Sequence, residues 1–177
     1  MKTAITDKFG IDVPILAFTH CRDVVVAVTK AGGMGVLGAA GHSDRQLEID
    51  LDWIEAEIGD RPYGVDLIVP AKYAGSDEGG LTTAALQEMI PAGHRAFVDD
   101  ILSRYGVPEL PADAGRGGLL GDSDAAPFSA SRADPQLEIA LARKPVLLVN
   151  ALGPPPAHMS WRASLSPPSP MKPCSSP

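Results

Sequence analysis

The stretch AVTKAGGMGVLGAAG, residues 27–41, decides the fold. It contains Gly33-x-Gly35-x-x-Gly38, a literal match to the glycine fingerprint of dinucleotide-binding proteins. That fingerprint works only after a strand and at the start of a helix, whose N-terminus receives the pyrophosphate. Here the order is reversed. RDVVVAVTKAGG (22–33) reads as a short helix capped by Asp23 and stopped by Gly32 and Gly33, although its valines also suit a strand. MGVLGAAG (34–41) reads as the buried strand that follows. The glycines then mark a helix-to-strand turn packed too closely for a side chain.

Working outward, VPILAFTH (13–20) is an apolar run that reads as a strand of about five residues. HSDRQLEIDLDWIEAEIGDRP (42–62) has a helix signature. Ser43 and Gln46 form a capping box, Leu47, Leu51, Ile54 and Ile58 share one face, and Gly59 and Pro62 end it. YGVDLIVP (63–70) is a third strand and PVLLVNA (145–151) a fourth. Asp134 and Pro135 suit the cap and first residue of the helix between them. Continuous apolar strands separated by helices predict an α/β protein with a parallel sheet covered on both faces.

Residues 71–134 interrupt this rhythm. AALQEMI and GHRAFVDDILSRYGV look helical, the second with Phe97, Ile101 and Tyr105 on one face. Residues 108–134 read as a long Gly-, Asp-, Ala- and Ser-rich loop. Beyond Ala157, Pro167, Pro168, Pro170, Pro173 and Pro177 exclude helix, and 158–177 has the composition of a disordered tail.

Composition narrows the function classes. The 177 residues are 45% hydrophobic and 21% charged, as in soluble globular proteins, and suffice for one ordinary domain. A net charge of −7 without a basic stripe argues against nucleic acid. No apolar run approaches the ~20 residues of a membrane helix, and the N-terminus lacks a signal-peptide core. Cys21 and Cys174 form no ligand spacing, which favours a reduced, cytoplasmic chain. Cys21 reads as a small buried filler, His42 and His94 as surface residues, and no metal site is expected.

Taken together, MKTAITDKFGIDVPILAF, AVTKAGGMGVLGAAG, RPYGVDLIVP and LLVNALGPPP resemble the nitronate monooxygenase family, also called 2-nitropropane dioxygenases. The resemblance runs over residues 1–157 and is weakest across 71–134. It implies a (β/α)8 barrel that binds flavin mononucleotide (FMN) and oxidises alkyl nitronates with O2 to carbonyl compounds and nitrite. A related FMN-dependent enoyl reductase is the neighbouring reading. Barrel sites lie at the C-terminal ends of the strands. The resemblance therefore implies flavin contacts from Phe18, Thr19, His20, Asp66 and Asn150. Family members carry an amide in a G-V-N setting where this chain has Gly64-Val65-Asp66, and an ionised Asp only accepts hydrogen bonds. Asp66 either meets the flavin's ring N–H or contacts a neighbouring strand. Asn150 is read equally as a flavin contact or a satisfied strand-end amide.

The family's catalytic histidine lies in its second half, which leaves His20 as the weak catalytic candidate here. A full barrel takes about 250 residues, and four strands are counted. The chain is therefore expected to be an incomplete barrel, residues 1–157, with 71–134 as an insertion and 158–177 as a tail. A shifted or cut reading frame explains the tail; a natural short variant with a flexible arm is the alternative. The oxidoreductase function would then be impaired or lost; the alternative is a catalytically dead fragment, or a half-barrel that works only as a binding or assembly module. Unpaired strand edges predict self-association.

Overall fold

A computed structural model gives the structure of residues 2–72, 81–109, 129–143, 145–154 and 157. Four parallel strands lie in sequential order: β1 (Leu16–Thr19), β2 (Met34–Gly38), β3 (Gly64–Leu67) and β4 (Leu147–Asn150). The helices between them are α2 (Arg22–Lys30), α3 (Asp44–Ile58) and, before β4, α6 (Ala130–Arg143). The excursion between β3 and α6 carries α4 (Thr83–Glu88) and α5 (Ala92–Arg104). A short α1 (Ala4–Phe9) precedes β1. Parallel strands in chain order, with a helix returning over each crossover, form a sector of a (β/α)8 barrel.

Alternation along the strands separates two faces. Leu37, Ala39, Val65 and Leu67 pack against Val25, Val26, Leu47, Leu51, Ile54, Leu137 and Ala140 of α2, α3 and α6. Leu37, Leu47, Leu51, Ile54, Val65 and Leu67 are fully buried. Each such side chain contributes about 1.5–3 kcal/mol by leaving water. The opposite face carries Leu16 and Phe18 on β1, in register with Met34 and Val36 on β2. Leu16 and Phe18 are 40% and 57% exposed. The expectation of a sheet covered on both faces is thus corrected: the helices cover one face, because every crossover returns on the same side of a barrel wall, while on the other Met34 and Val36 are buried and the edge residues Leu16 and Phe18 stay exposed.

Glycine decides the close approach of α2 to β2. A Cβ on Gly35 would stand 2.5 Å from the carbonyl oxygen of Val25 and 2.6 Å from its Cα. The buried Gly35 N–H also donates to the Thr29 hydroxyl at 3.1 Å. The reversed fingerprint is therefore a packing device between helix and strand.

Several boundaries differ from expectation. The N-cap of α2 is Cys21, with Asp23 inside the first turn. Residues 11–14 lie outside β1; Asp12 and Val13 instead donate their N–H groups to the Gly32 carbonyl. Helix α1 was not foreseen, although Thr3 and Thr6 form a reciprocal cap and Gly10, at φ 66°, closes it. Helix α6 starts at Ala130, four residues before the expected cap, and runs through Pro135. Ser129 accepts the first backbone bonds of that turn, from Arg132 and Ala133, and the helix continues past the one donor that proline lacks. Residues 110–128 of the expected loop and the tail 158–177 lie outside the described residues.

Candidate functional site at the strand ends

The C-terminal ends of β1, β2 and β3 bring three of the expected residues onto the uncovered face. The register pairs Thr19 with Leu37 and Gly38 with Asp66, so one more step along β1 sets His20 beside Gly38. The row across the sheet is His20, Gly38, Asp66 and Val149. His20 Nδ1 lies 3.0 Å from the Gly38 carbonyl oxygen. Phe18 stands edge-on to the His20 ring, with centroids 5.1 Å apart at 81°. A Cβ on Gly38 would come within 2.8 Å of the imidazole and 2.7 Å of the Phe18 ring. Gly38 is therefore the floor over which these two rings lean.

Asp66 occupies the far side of that floor. Burial pushes its carboxyl above the usual carboxylate range, and the charge of His20 pulls it part of the way back. The two groups thus face one another electrostatically across a glycine, about two strand spacings or ~10 Å apart by backbone.

Thr19 and Asn150 are placed differently. The Thr19 hydroxyl accepts the Cys21 N–H at 3.0 Å and shapes the turn into α2. Asn150 Oδ1 accepts the Val69 N–H at 2.9 Å, while its Nδ2 donates to the carbonyls of Val69 at 3.1 Å and Gly153 at 3.4 Å. Both amide hydrogens are thereby committed to backbone, and Asn150 braces the end of β3 against β4. Cys21 is exposed rather than a buried filler, its thiol donating to Asp23 Oδ2 at 3.6 Å.

A second polar cluster was missed at sequence level. His42 is buried, not a surface residue, and its Nε2 lies 3.1 Å from Asp50 Oδ2. The other oxygen of Asp50 accepts from Arg22 and from Gln46, each at 2.9 Å. Arg22 in turn lies over the Trp53 ring, 4.8 Å from its centroid. The His42 carbonyl accepts from Arg132 at 2.7 Å and from Gln136 at 2.8 Å. Gln136 also reaches the Ala39 carbonyl at 3.1 Å, so α6 clamps the loop after β2. The readable signal was Asp50, a carboxylate on the apolar stripe of α3 between Leu47 and Leu51 that requires partners.

Among the described residues, no group of three or more His, Cys, Asp and Glu side chains is arranged to hold a metal ion. No described helix is long and apolar enough to cross a membrane.

Comparison with known proteins identifies relatives. A Mycobacterium tuberculosis protein named "Putative monooxygenase Rv1533" is 45% identical over 163 residues, 92% of this chain but 42% of that protein. A Staphylococcus saprophyticus protein named "Probable nitronate monooxygenase" is 32% identical over 75 residues, 40% of this chain and 21% of its own length. A Staphylococcus aureus protein of the same name is 27% identical over 77 residues. The chain spans less than half the length of these relatives. No family model matches the chain. The resemblance drawn from the strand motifs is borne out by these names, and the partial coverage agrees with four strands of an eight-stranded design.

Proposed function

From this homology to monooxygenases we propose that the chain supplies the first four strands of an FMN site in an oxidoreductase of the nitronate monooxygenase type. The observation that carries the reading is the row of His20, Gly38 and Asp66, flanked by Phe18, at the C-terminal ends of the strands.

The ring end of FMN fits these residues. Phe18, whose ring closes over Gly38 together with that of His20, offers an exposed aromatic face. Asp66, when ionised, is an acceptor for a ring N–H. Two arginines near the strand ends are already engaged, Arg22 by Asp50 and Arg132 by the His42 carbonyl. The flavin would supply the redox step on an alkyl nitronate, with O2 as co-substrate. The protein's own part is to pack the ring against Phe18 and His20 and orient it through Asp66. Thr19 and Asn150 support this mouth from behind, through the turn into α2 and the brace on Val69.

The test is the visible absorption and fluorescence of the purified chain after incubation with FMN and desalting. Retained flavin supports the reading, and nitronate-dependent O2 consumption then follows. If no flavin is retained at any concentration, this chain does not form the site alone. The exposure of Leu16 and Phe18 on the uncovered face favours a second reading, a half-barrel that acts by assembling with further strands.

A further inference from the structure

The four strands do not end level, and the way they climb indicates what can lie beside them. Thr19, the end of β1, stands opposite Leu37, one residue short of the end of β2. Gly38, the end of β2, pairs with Asp66, one residue short of the end of β3. Leu67 pairs with Asn150, and both are strand ends. Across three seams the ends advance by two residues, always in the same direction. An eight-stranded parallel barrel advances by eight residues in a full circuit, about four in half of one. The sheet therefore has the stagger of a barrel wall and half its strands. Among the described residues no further strand lies beside β1 or β4.

We propose that two copies of this chain close one eight-stranded barrel, β4 of each beside β1 of the other, with Val149 opposite the partner's Leu16 at both seams. Half a circuit, turned by half a revolution about the barrel axis, presents both edges to its copy at once and in parallel polarity. A head-to-tail seam of this kind closes into a ring of two instead of growing into a filament. The stagger sets the register. With a displacement of about four residues per half circuit, the row His20, Gly38, Asp66 and Val149 arrives at the partner's Leu16. Leu16 and Val149 share the face turned away from the helices, so the pair meets inside the barrel. The area is sufficient. Each seam is about 20 Å deep, a strand layer plus a helix layer, and about 20 Å tall, the length of the 15-residue α3. Two seams come to roughly 800 Å² on each copy, which is what a stable complex buries. Ile15, Leu16 and Phe18 at the β1 edge and Val146 and Leu152 at the β4 edge, each at least 40% exposed, would leave water there. The lumen beyond Val149 is then walled by the partner's β1, so a ligand site at the strand ends is complete only in the pair. The inference rests on the barrel sector and its register, not on the flavin.

Two measurements on the full chain test this. Sedimentation velocity should show association that stops at two copies; a monomer at every concentration, or open-ended growth, overturns the proposal. Register is read by mixing two single-cysteine chains, Leu16→Cys and Val149→Cys, each also carrying Cys21→Ser and Cys174→Ser, under mild oxidation. A disulfide needs Cα atoms within about 7 Å, so the mixture should give a covalent dimer of the two different chains and neither chain alone should. Leu16→Cys that couples to itself places β1 against β1 in antiparallel fashion and overturns the proposal. Leu147→Cys, on the same face two residues lower on β4, should couple to Leu16→Cys about tenfold more slowly or less; coupling faster than Val149→Cys overturns the register. Phe18→Cys with Ala151→Cys, the next inward pair in the same register, repeats the test if circular dichroism shows Leu16→Cys unfolded. FMN retention is measured on the coupled pair and on the monomer. Coupling without flavin keeps the closed barrel and sinks the flavin site; flavin held by an uncoupled monomer does the reverse.

Discussion

Gly35 and Gly38 lie three residues apart on β2 and serve opposite faces. At Gly35 the obstacle is backbone, the carbonyl and Cα of Val25, which cannot rotate away. Gly35→Ala should therefore cost about 3 kcal/mol or more, read as a lower denaturant midpoint with little change in slope. At Gly38 the obstacles are ring atoms of His20 and Phe18, and stability should change less than the position of those rings. Asp66 gives a pH-dependent prediction. Its carboxyl is held above the ordinary range in the fold, first by burial, with His20 opposing. A group raised in this way favours folding while protonated, and that contribution is lost as pH rises through its folded value. Asp66→Asn mimics the protonated form, so it should raise the thermal midpoint at neutral pH. The gain should vanish in acid below the usual carboxylate range; a constant gain at all pH values would contradict the assignment. At this scale the sequence was least informative. Gly33-x-Gly35-x-x-Gly38 was legible as a packing turn because segment order excludes phosphate binding. The burial of His42 was not legible, because it depends on Arg132 and Gln136, ninety residues away in the chain.

Elements were easier to read where one face settles the matter. The stripe of Leu47, Leu51, Ile54 and Ile58 predicts α3, and all four are buried against the strands. Leu51→Ala should cost about 2–5 kcal/mol in chemical unfolding, since the cavity sits in the centre of the core. Helix α5 behaves in the opposite way. Phe97, Val98 and Tyr105 are 64%, 51% and 77% exposed, and no residue of α5 is buried. Phe97→Ser should accordingly leave the unfolding free energy within about 0.5 kcal/mol of the wild type. The same periodic signal therefore yields a core helix in one place and an uncovered one in another. Period alone states which residues share a face, not whether anything covers it. Helix α6 shows the reverse limit: Asp134–Pro135 is a good local start, yet Ser129 begins the helix a turn earlier because Ala133, Gln136, Leu137 and Ala140 are buried against the sector.

At the scale of the sheet, sequential parallel strands leave β1 and β4 with no further strand beside them among the described residues, and the face opposite the helices exposes Leu16 and Phe18. Such edges template pairing with other chains. Sedimentation velocity should show concentration-dependent association, and Leu16→Lys, which places a charge on the uncovered face of β1, should shift it toward monomer. A wild type that remains monomeric throughout would contradict this. The barrel sector was legible from strand spacing and glycines; its openness followed from counting strands. Two small braces carry a wider consequence. Asn150 grips Val69 where the chain leaves the sector, and the His42 carbonyl receives Arg132 and Gln136 where it returns. Both anchors belong to the sector, not to the span between them. Over evolutionary time that span is free to lengthen, shrink or be exchanged for an unrelated one while the strands keep their register, so variety at the mouth is decoupled from the survival of the fold.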